Sequence, residues 1–440
     1  MENKLQKQMT SRHITMLALG GAIGAGLFKG SGEAIGIAGP SVLLAFLLGG
    51  IVLFIVMSGL GRLVLHNDNV HGLSGLIRPI LGSHTADFID WIYWSLWMIN
   101  IIAEGVAAAS FLQLWFPNIP QWLFVLLLAI LTTVINLYSV RLFAETEYWL
   151  AFAKISVIIL LIIFGVFLVG KMAIAEGLFP TVQHMNAHGG FVPNGMKGLI
   201  SSLLVVIYSY GGSELIAITV SEAENPKEAI PKAIKGVMGR IISFYIIPLF
   251  LLLIIYPWDT LASSTTSPFV MIFEKMNFPF AADFINFVIV LALFSSINSG
   301  VYASSRTLYF RLQNRGGFAK KLTKLNHHRV PRNAVLFCTG TLYIGVILSY
   351  FVGDKLFNYL VGSISYTVLF TWLLITIAAF VLALQQKKIG AVSFQAFAII
   401  VLFLIFIGIL INNPITITAL TAVLYAFIWF SYKKEPNTLN

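Results

Sequence analysis

The amino-acid sequence predicts an all-α integral membrane protein of about 12 transmembrane helices, arranged as a five-plus-five inverted repeat with helices 1 and 6 broken. Three observations predict it: a composition too apolar for a soluble core, a one-sided distribution of lysine and arginine, and glycine clusters in the middle of two apolar spans. The 440 residues are 58% hydrophobic and only 10% charged, whereas soluble domains run near 25% charged. A chain of this length can form two or three soluble domains, but none could hide so much apolar surface. A bilayer can.

A helix needs roughly 20 mostly apolar residues to cross the hydrocarbon core. Such stretches fall at 14–38, 40–61, 88–113, 121–139, 148–170, 198–220, 241–256, 284–305, 334–352, 356–384, 391–411 and 414–432. The seventh is short and borrows from Lys235 onward. Together they form one transmembrane domain, with helices 1–5 over 14–170, helices 6–10 over 198–384, and helices 11 and 12 over 391–432. The polar, basic start MENKLQKQMTSRH leads into a long apolar stretch without a small-residue cleavage site. That stretch is read as a first helix and not as a removed signal peptide.

The net charge of +10 raises nucleic acid as a partner, but the charges sit at span ends and in short loops. With both termini inside, 22 of the 28 lysines and arginines face the cytoplasm, and only Lys171, Lys197, Lys275 and Lys355 face outward. This is the positive-inside pattern, and removing any one span scrambles it. The bilayer is therefore the expected surroundings, and nucleic acid is not an expected partner. The basic stretch from Arg311 to Arg332 is accounted for as a topology signal. The single cysteine, Cys338, excludes an internal disulfide and a cysteine metal cluster. His184 and His188 have i, i+4 spacing but lie in a Gly- and Asn-containing external loop, so neither a metal nor another cofactor is expected.

Two spans read poorly as plain helices. The first, LALGGAIGAGLFKGSGEAIG, packs Gly20, Gly21, Gly24, Gly26, Gly30 and Gly32 into one crossing. The sixth, LVVIYSYGGSELIAI, has Gly211 and Gly212 adjacent at its middle, flanked by Ser209 and Ser213. Each interior glycine costs a helix about 1 kcal/mol relative to alanine. Close helix packing explains spaced small residues but not a double glycine between two serines. Unwound backbone is tolerated at membrane depth only where it lines a cavity or is buried in protein. Two interrupted spans five apart point to an inverted repeat with a binding site between them. An amino acid suits such a site. Its carboxylate can rest on the free N–H groups of the half-helix after Gly26, and its ammonium can meet freed carbonyls near Tyr208, Ser209 and Gly211.

The motifs also resemble a known family over nearly the whole chain. GGAIGAGLFKGSG (20–32) resembles the first-helix motif of the amino acid permeases of the amino acid–polyamine–organocation (APC) superfamily, in particular its amino acid transporter group. SYGGSELIAITVSEAENPKEAIPKAI (209–234) resembles the sixth helix and following loop of those proteins. SSINSGVYASSRTLY (295–309) resembles the eighth helix, and VPRNAV (330–335) the start of the ninth. The resemblance implies the LeuT-like inverted-repeat fold and amino acid uptake across the cytoplasmic membrane by alternating access. By motif it puts the carboxylate site at Ile23, Gly24, Ala25 and Gly26, and the ammonium site at Tyr208, Ser209 and Gly211. The chain departs from the family pattern at Lys29 and Arg62, which bears on substrate range more than on fold.

Lys29, Glu33, Glu104, Lys154 and Glu214 are the ionisable residues singled out within the spans above. Each costs about 2.5–3.5 kcal/mol near the bilayer centre and so needs a reason. Lys29 and Glu33, four apart on one face, can pair directly; a gate or substrate contact is the alternative. Lys154 stands alone in WLAFAKISVII. In related sodium-driven carriers a sodium ion lies between helices 1, 5 and 8, and by resemblance the Lys154 ammonium takes that place against helix 1 and Ser295 or Ser296. It is either a structural tether or a proton carrier. Glu214 can cap the second half of helix 6 or carry a proton, and Glu104 can take a proton or meet a polar substrate group. Ser213, Ser295 and Asn298 are further pocket candidates.

One proton crossing 100 mV supplies about 2.3 kcal/mol, enough for roughly fortyfold accumulation. No ATP-binding P-loop occurs, so proton symport of a neutral, aliphatic amino acid is the expected activity. Sodium coupling, a cationic substrate and a sensor that has lost transport remain as alternatives. An intramembrane enzyme lacks a visible nucleophile–base pair, and a channel favours charge rings or filter motifs.

Overall fold

The structure is a computed structural model that describes residues 23–66, 72–138, 140–177, 182–186, 188–214, 234, 236–264, 266–276, 280–312, 317–326 and 330–433. Among these the chain is helical, with no strand. In order the helices are α1 (Ala25–Phe28), α2 (Gly30–Ala38), α3 (Val42–His66), α4 (Gly72–Leu112), α5 (Gln121–Tyr138), α6 (Val140–Glu176), α7 (Gly195–Tyr210) and α8 (Gly236–Ile255). There follow α9 (Trp258–Ser263), α10 (Pro268–Lys275), α11 (Ala281–Leu312), α12 (Phe318–Leu322), α13 (Arg332–Val352), α14 (Leu356–Gln385), α15 (Ile389–Asn412) and α16 (Ile415–Lys433).

Eight stretches among the described residues are long and apolar enough to cross a membrane, and three shorter apolar helices accompany them. Their packing separates a core from a lipid-facing layer. In the apolar windows of α4 and α11, 78% is enclosed by the rest of the protein, against 28% for α15. α4 packs along α11 and α14, while α7 lies against α2 and α3. Outward faces carry Phe152, Phe167, Phe397, Phe403 and Phe427. Apolar residues outside as well as inside are what a lipid solvent permits.

Several boundaries differ from the sequence reading, each for a local reason. α4 begins at Gly72, well before the expected 88, because a first helical stretch turns at Gly82 (φ 84°, ψ 168°) into the long helix. This left-handed geometry is readily adopted only by glycine. α6 spans 37 residues and takes in Glu145 and Glu147, which the hydropathy reading left outside. α8 contains a π-helical stretch at Ile242–Ile246, the kind of local distortion that often marks functional regions. The first half of span 1 before Ile23 and the second half of span 6 after Glu214 lie outside the described residues.

Short helices close one end of the site. Ser267 caps α10, its Oγ accepting from Phe269 N, with Pro268 supplying a preset first turn. The same hydroxyl donates to Phe28 O at 2.6 Å, and the Phe28 and Phe269 rings meet edge to face at 5.3 Å. α10 is thereby fixed to the end of α1. Nearby, His188 Nδ1 lies 2.6 Å from Asp259 Oδ2, a contact that holds the Asp259 carboxyl below the usual carboxylate range.

At α4 and the end of α11, Arg311 donates to Asp90 Oδ2 at 2.9 Å and to Asp87 O at 3.2 Å, with its guanidinium 4.7 Å from the Trp91 ring centroid. Arg78 pairs with Asp87 at 2.6 Å, but its side chain is 42% exposed against 10% for Arg311. Exposed pairs contribute about 0–1 kcal/mol. Arg311→Ala should therefore lower stability by roughly 2–3 kcal/mol, below the 3–5 kcal/mol of a fully buried pair, and Arg78→Ala by about 1 kcal/mol or less. Melting temperatures in detergent check the ranking, and equal losses would contradict it.

Candidate functional site

The centre of the molecule is the place where α1 starts, in the first apolar span. Gly24 is extended (φ −147°, ψ −153°), and α1 begins at Ala25. A helix start leaves N–H groups without intrahelical partners, and in a membrane each must find one. Ala25 N donates to both carboxylate oxygens of Glu104 on α4, at 3.1 and 3.0 Å. A Cβ at Gly24 would overlap Glu104 Oε1, so a side chain there would displace the carboxylate from this contact. Glu104 is 4% exposed.

The end of α7 faces this start. α7 ends at Tyr210; Gly211 turns out of the helix (φ −56°, ψ 144°), and Gly212 takes φ 87°. Gly211 N still bonds back to Tyr208 O and Ile207 O, each at 3.0 Å. Ser209 O, a carbonyl at the break, accepts from Tyr245 OH at 2.8 Å, and Tyr245 comes from the π-helical part of α8. The two broken segments touch directly. A Cβ on Gly26 would stand 2.5 Å from Ser209 Cα.

Glu214 closes the turn. Its Oε1 accepts from Gly212 N at 3.2 Å, and its Oε2 accepts from Trp372 Nε1 of α14 at 3.4 Å. These are capping contacts that hold the interrupted backbone. Ser213 is buried beside a small cavity lined also by Ile23, Tyr210, Arg240 and Tyr245. Tyr208, on the last turn of α7, is adjacent to Glu104 and stacks edge to face on Phe357 at 6.1 Å.

Lys154 of α6 is fully buried. Its Nζ donates to Ser296 Oγ at 3.3 Å, and Ser296 Oγ in turn lies 3.3 Å from Ile23 O, at the edge of the break. Lys154 thus lies between α6 and α11, one hydroxyl away from the backbone that precedes α1. Lys154 interacts electrostatically with Glu147 and Glu104.

Other candidates fall elsewhere. Asn298 Oδ1 accepts from Asn136 Nδ2 of α5 at 2.7 Å, so its amide is engaged in the seam between α5 and α11. Lys29 Nζ donates to Ser110 Oγ at 3.0 Å and lies 4.9 Å above the Phe357 ring. Glu33 feels the Lys29 charge, and with its amide turned toward the carboxylate Asn358 donates to both Glu33 oxygens at 2.8 Å. These contacts tie α1 and α2 to α4 and α14.

Sequence reasoning missed Glu147. It is 2% exposed on α6, and Ser295 Oγ donates to its Oε1 at 2.5 Å. The available signal was its spacing of seven from Lys154, which puts both on one helix face.

The contact between α1 and α7 leaves no room for a side chain. Gly26→Ala should push the two helices apart at a cost of about 1–3 kcal/mol. A lowered melting temperature together with lost substrate binding checks this. Unchanged binding would show that the close approach is dispensable.

Comparisons with known proteins agree with this geometry. Residues 13–440 match the amino acid permease family. The chain is 46% identical over 434 residues to the amino acid permease YvbW of Bacillus subtilis, covering 97% of each chain. It is 45% identical over 451 residues to the aromatic amino acid permease FywP of Lactococcus lactis subsp. cremoris, covering 100% of this chain and 99% of that one. A solved Na+-coupled sialic acid symporter in a substrate-bound outward-open state shares the fold at TM-score 0.56 and 13% identity, over 94% of this chain and 90% of that one. The manganese transporter of Eremococcus coleocola does so at TM-score 0.52 and 14% identity, over 96% and 92%. With the family matched over almost its full length, the chain belongs to the amino acid permeases of the APC superfamily, as a multi-pass protein of the cell membrane.

Proposed function

We propose that the protein imports an amino acid by proton symport, working by alternating access in a twelve-span, five-plus-five inverted repeat with both termini in the cytoplasm. The observation that carries the amino acid assignment is the Glu104 carboxylate on Ala25 N. The break in helix 1 is a carboxylate cradle, and a side chain of the protein occupies it where a substrate carboxylate would sit. Ile23, Gly24, Ala25 and Gly26 form the cradle. Tyr208, Ser209, Gly211 and Ser213 offer the opposite wall, where break carbonyls meet the substrate ammonium. Asn298, held by Asn136, contributes to the pocket only by moving.

Proton coupling is supported by Lys154. An ammonium bonded to Ser296, which itself reaches Ile23 O, occupies the space that sodium would need, and a positive ion does not share it. Glu104 is the second candidate for a coupled proton, because it lies on the cradle and interacts with Lys154. Glu214, committed to Gly212 and Trp372, is the weaker third.

The substrate side chain is proposed to be neutral, and the expectation from the sequence is aliphatic. A second reading is favoured by the 45% identity to an aromatic amino acid permease over the whole chain. Here the Tyr208–Phe357 pair beside the break would give an aromatic ring an edge to stack on, worth about 0.5–1.5 kcal/mol beyond area burial.

Purified protein in liposomes, with an inward proton gradient and no sodium, should accumulate label from a mixed amino acid pool. Lys154→Ala should abolish the accumulation. Competition by unlabelled phenylalanine or tyrosine, against leucine or valine, separates the aromatic from the aliphatic substrate. Uptake that requires sodium would overturn the role given to Lys154. Absence of uptake beside a working control carrier would favour a sensor.

A further inference from the structure

We propose that Glu147 is the proton partner of Lys154: it receives the proton that the ammonium releases during the cycle and passes it on toward the cytoplasm. This inference rests on the proton-symport reading and adds to it a second titrating group. Glu147 and Lys154 lie seven residues apart on α6 and share one face. Helical side chains lean toward the N-terminus of their helix, so the long Lys154 stem reaches back toward Glu147.

Helix α11 holds both groups with consecutive residues. Ser295 Oγ donates to Glu147 Oε1, and Ser296 Oγ accepts from Lys154 Nζ. Ser296 also contacts Ile23 O, so hydrogen bonds lead from the start of α1 to Lys154, which interacts electrostatically with Glu147. Rearrangement of that break between outward and inward states must therefore be felt by Lys154.

The carboxylate is built incompletely for a structural role. A buried ion pair repays its desolvation only when the remaining lone pairs are also satisfied. Glu147 is 2% exposed, yet among the described residues its Oε2 has no hydrogen-bond partner. Among the described residues the charge acting on Glu147 is Lys154, with Ser295 and Ser299 of α11 as its neutral neighbours; Glu104 acts on Lys154 from the other side. In the transfer an N–H bond of the ammonium breaks and an O–H bond forms on the carboxylate, leaving a neutral amine and a neutral acid. No other reactant is needed. The neutral pair costs less to carry through a dry interior than the charged one, and loss of the proton from Glu147 to cytoplasmic water restores its charge.

The test uses full-length protein in liposomes and two assays. Counterflow exchange of substrate requires no net proton movement, whereas accumulation under an imposed proton gradient does. Glu147→Gln keeps the shape of the side chain and removes its proton site. It should exchange substrate at close to the parent rate and lose accumulation by about tenfold or more, with a flattened dependence of accumulation on pH. Ser295→Ala, which leaves both charges in place and removes one bond to Glu147, should shift the pH midpoint of accumulation. Glu147→Asp should restore part of the accumulation lost in Glu147→Gln. Full accumulation by Glu147→Gln overturns the proposal, as do equal losses in both assays with an unmoved pH midpoint in Ser295→Ala, which would mark a purely structural pair. If the parent itself fails to accumulate substrate on a proton gradient, the symport reading falls and this inference falls with it.

Discussion

The interaction on which the rest of the structure depends is the bond from Ala25 N to the Glu104 carboxylate. Breaking a helix inside a bilayer exposes backbone groups that have no water to turn to, and each unsatisfied group costs several kcal/mol. The chain answers with side chains from other helices. Glu104 serves helix 1, Tyr245 and Glu214 serve helix 6, and Ser267 takes the Phe28 carbonyl. Every one of these partners arrives from sequence-distant segments or from the turn itself, so the ends of α1 and α7 are satisfied only in the assembled bundle. The glycines at 24 and 26 follow from the same constraint. They leave the volume that a carboxylate and a neighbouring backbone must occupy.

A second consequence is electrostatic. Placing a carboxylate at membrane depth to satisfy a backbone N–H brings in a charge that costs about 2.5–3.5 kcal/mol on insertion scales. Lys154 offsets it, and Glu147 in turn faces Lys154. Two acids and one base leave one negative charge over, so the group is balanced only if it holds a proton or faces a cation. A substrate ammonium and a symported proton are both such cations. The charge imbalance therefore gives a physical reason for coupling, because the charges needed to keep the breaks intact are the same ones that make loading with positive charge favourable.

Much of this was legible in the sequence. Apolar length marked out the long apolar helices among the described residues, because the bilayer sets one dominant scale, and the double glycine at 211 and 212 marked the turn that follows α7. The place of Lys154 between helices 1, 5 and 8 followed from motif resemblance, and its contact with Ser296 sits there. What stayed hidden were the ends and the partners. Hydropathy drops where charges begin, so Glu147 was assigned to a loop although α6 continues through it. The turn at Gly82 has no hydropathy signature at all. Asn298 shows a further limit. Periodicity can place a residue on a helix, but its amide meets Asn136, and the choice between neighbouring helices is set by packing across 162 residues of sequence.

Under the proposed proton symport, Lys154 in place of a bound ion has a physical consequence for the cycle. A sodium ion can leave, and its departure removes both charge and ligand bridge between helices 1 and 8. A lysine cannot leave; it can only lose a proton, and the amine that remains still fills the space and still reaches Ser296. The bridge is then weakened without a void being opened. Hydrogen bonds to a charged donor are roughly twice as strong as neutral ones, so deprotonation loosens the link to Ile23 by a step on the order of 1 kcal/mol. That is the scale on which an equilibrium between two conformations shifts by about fivefold. A fixed amine thus suits the proposed alternating-access cycle, in which the core stays packed throughout.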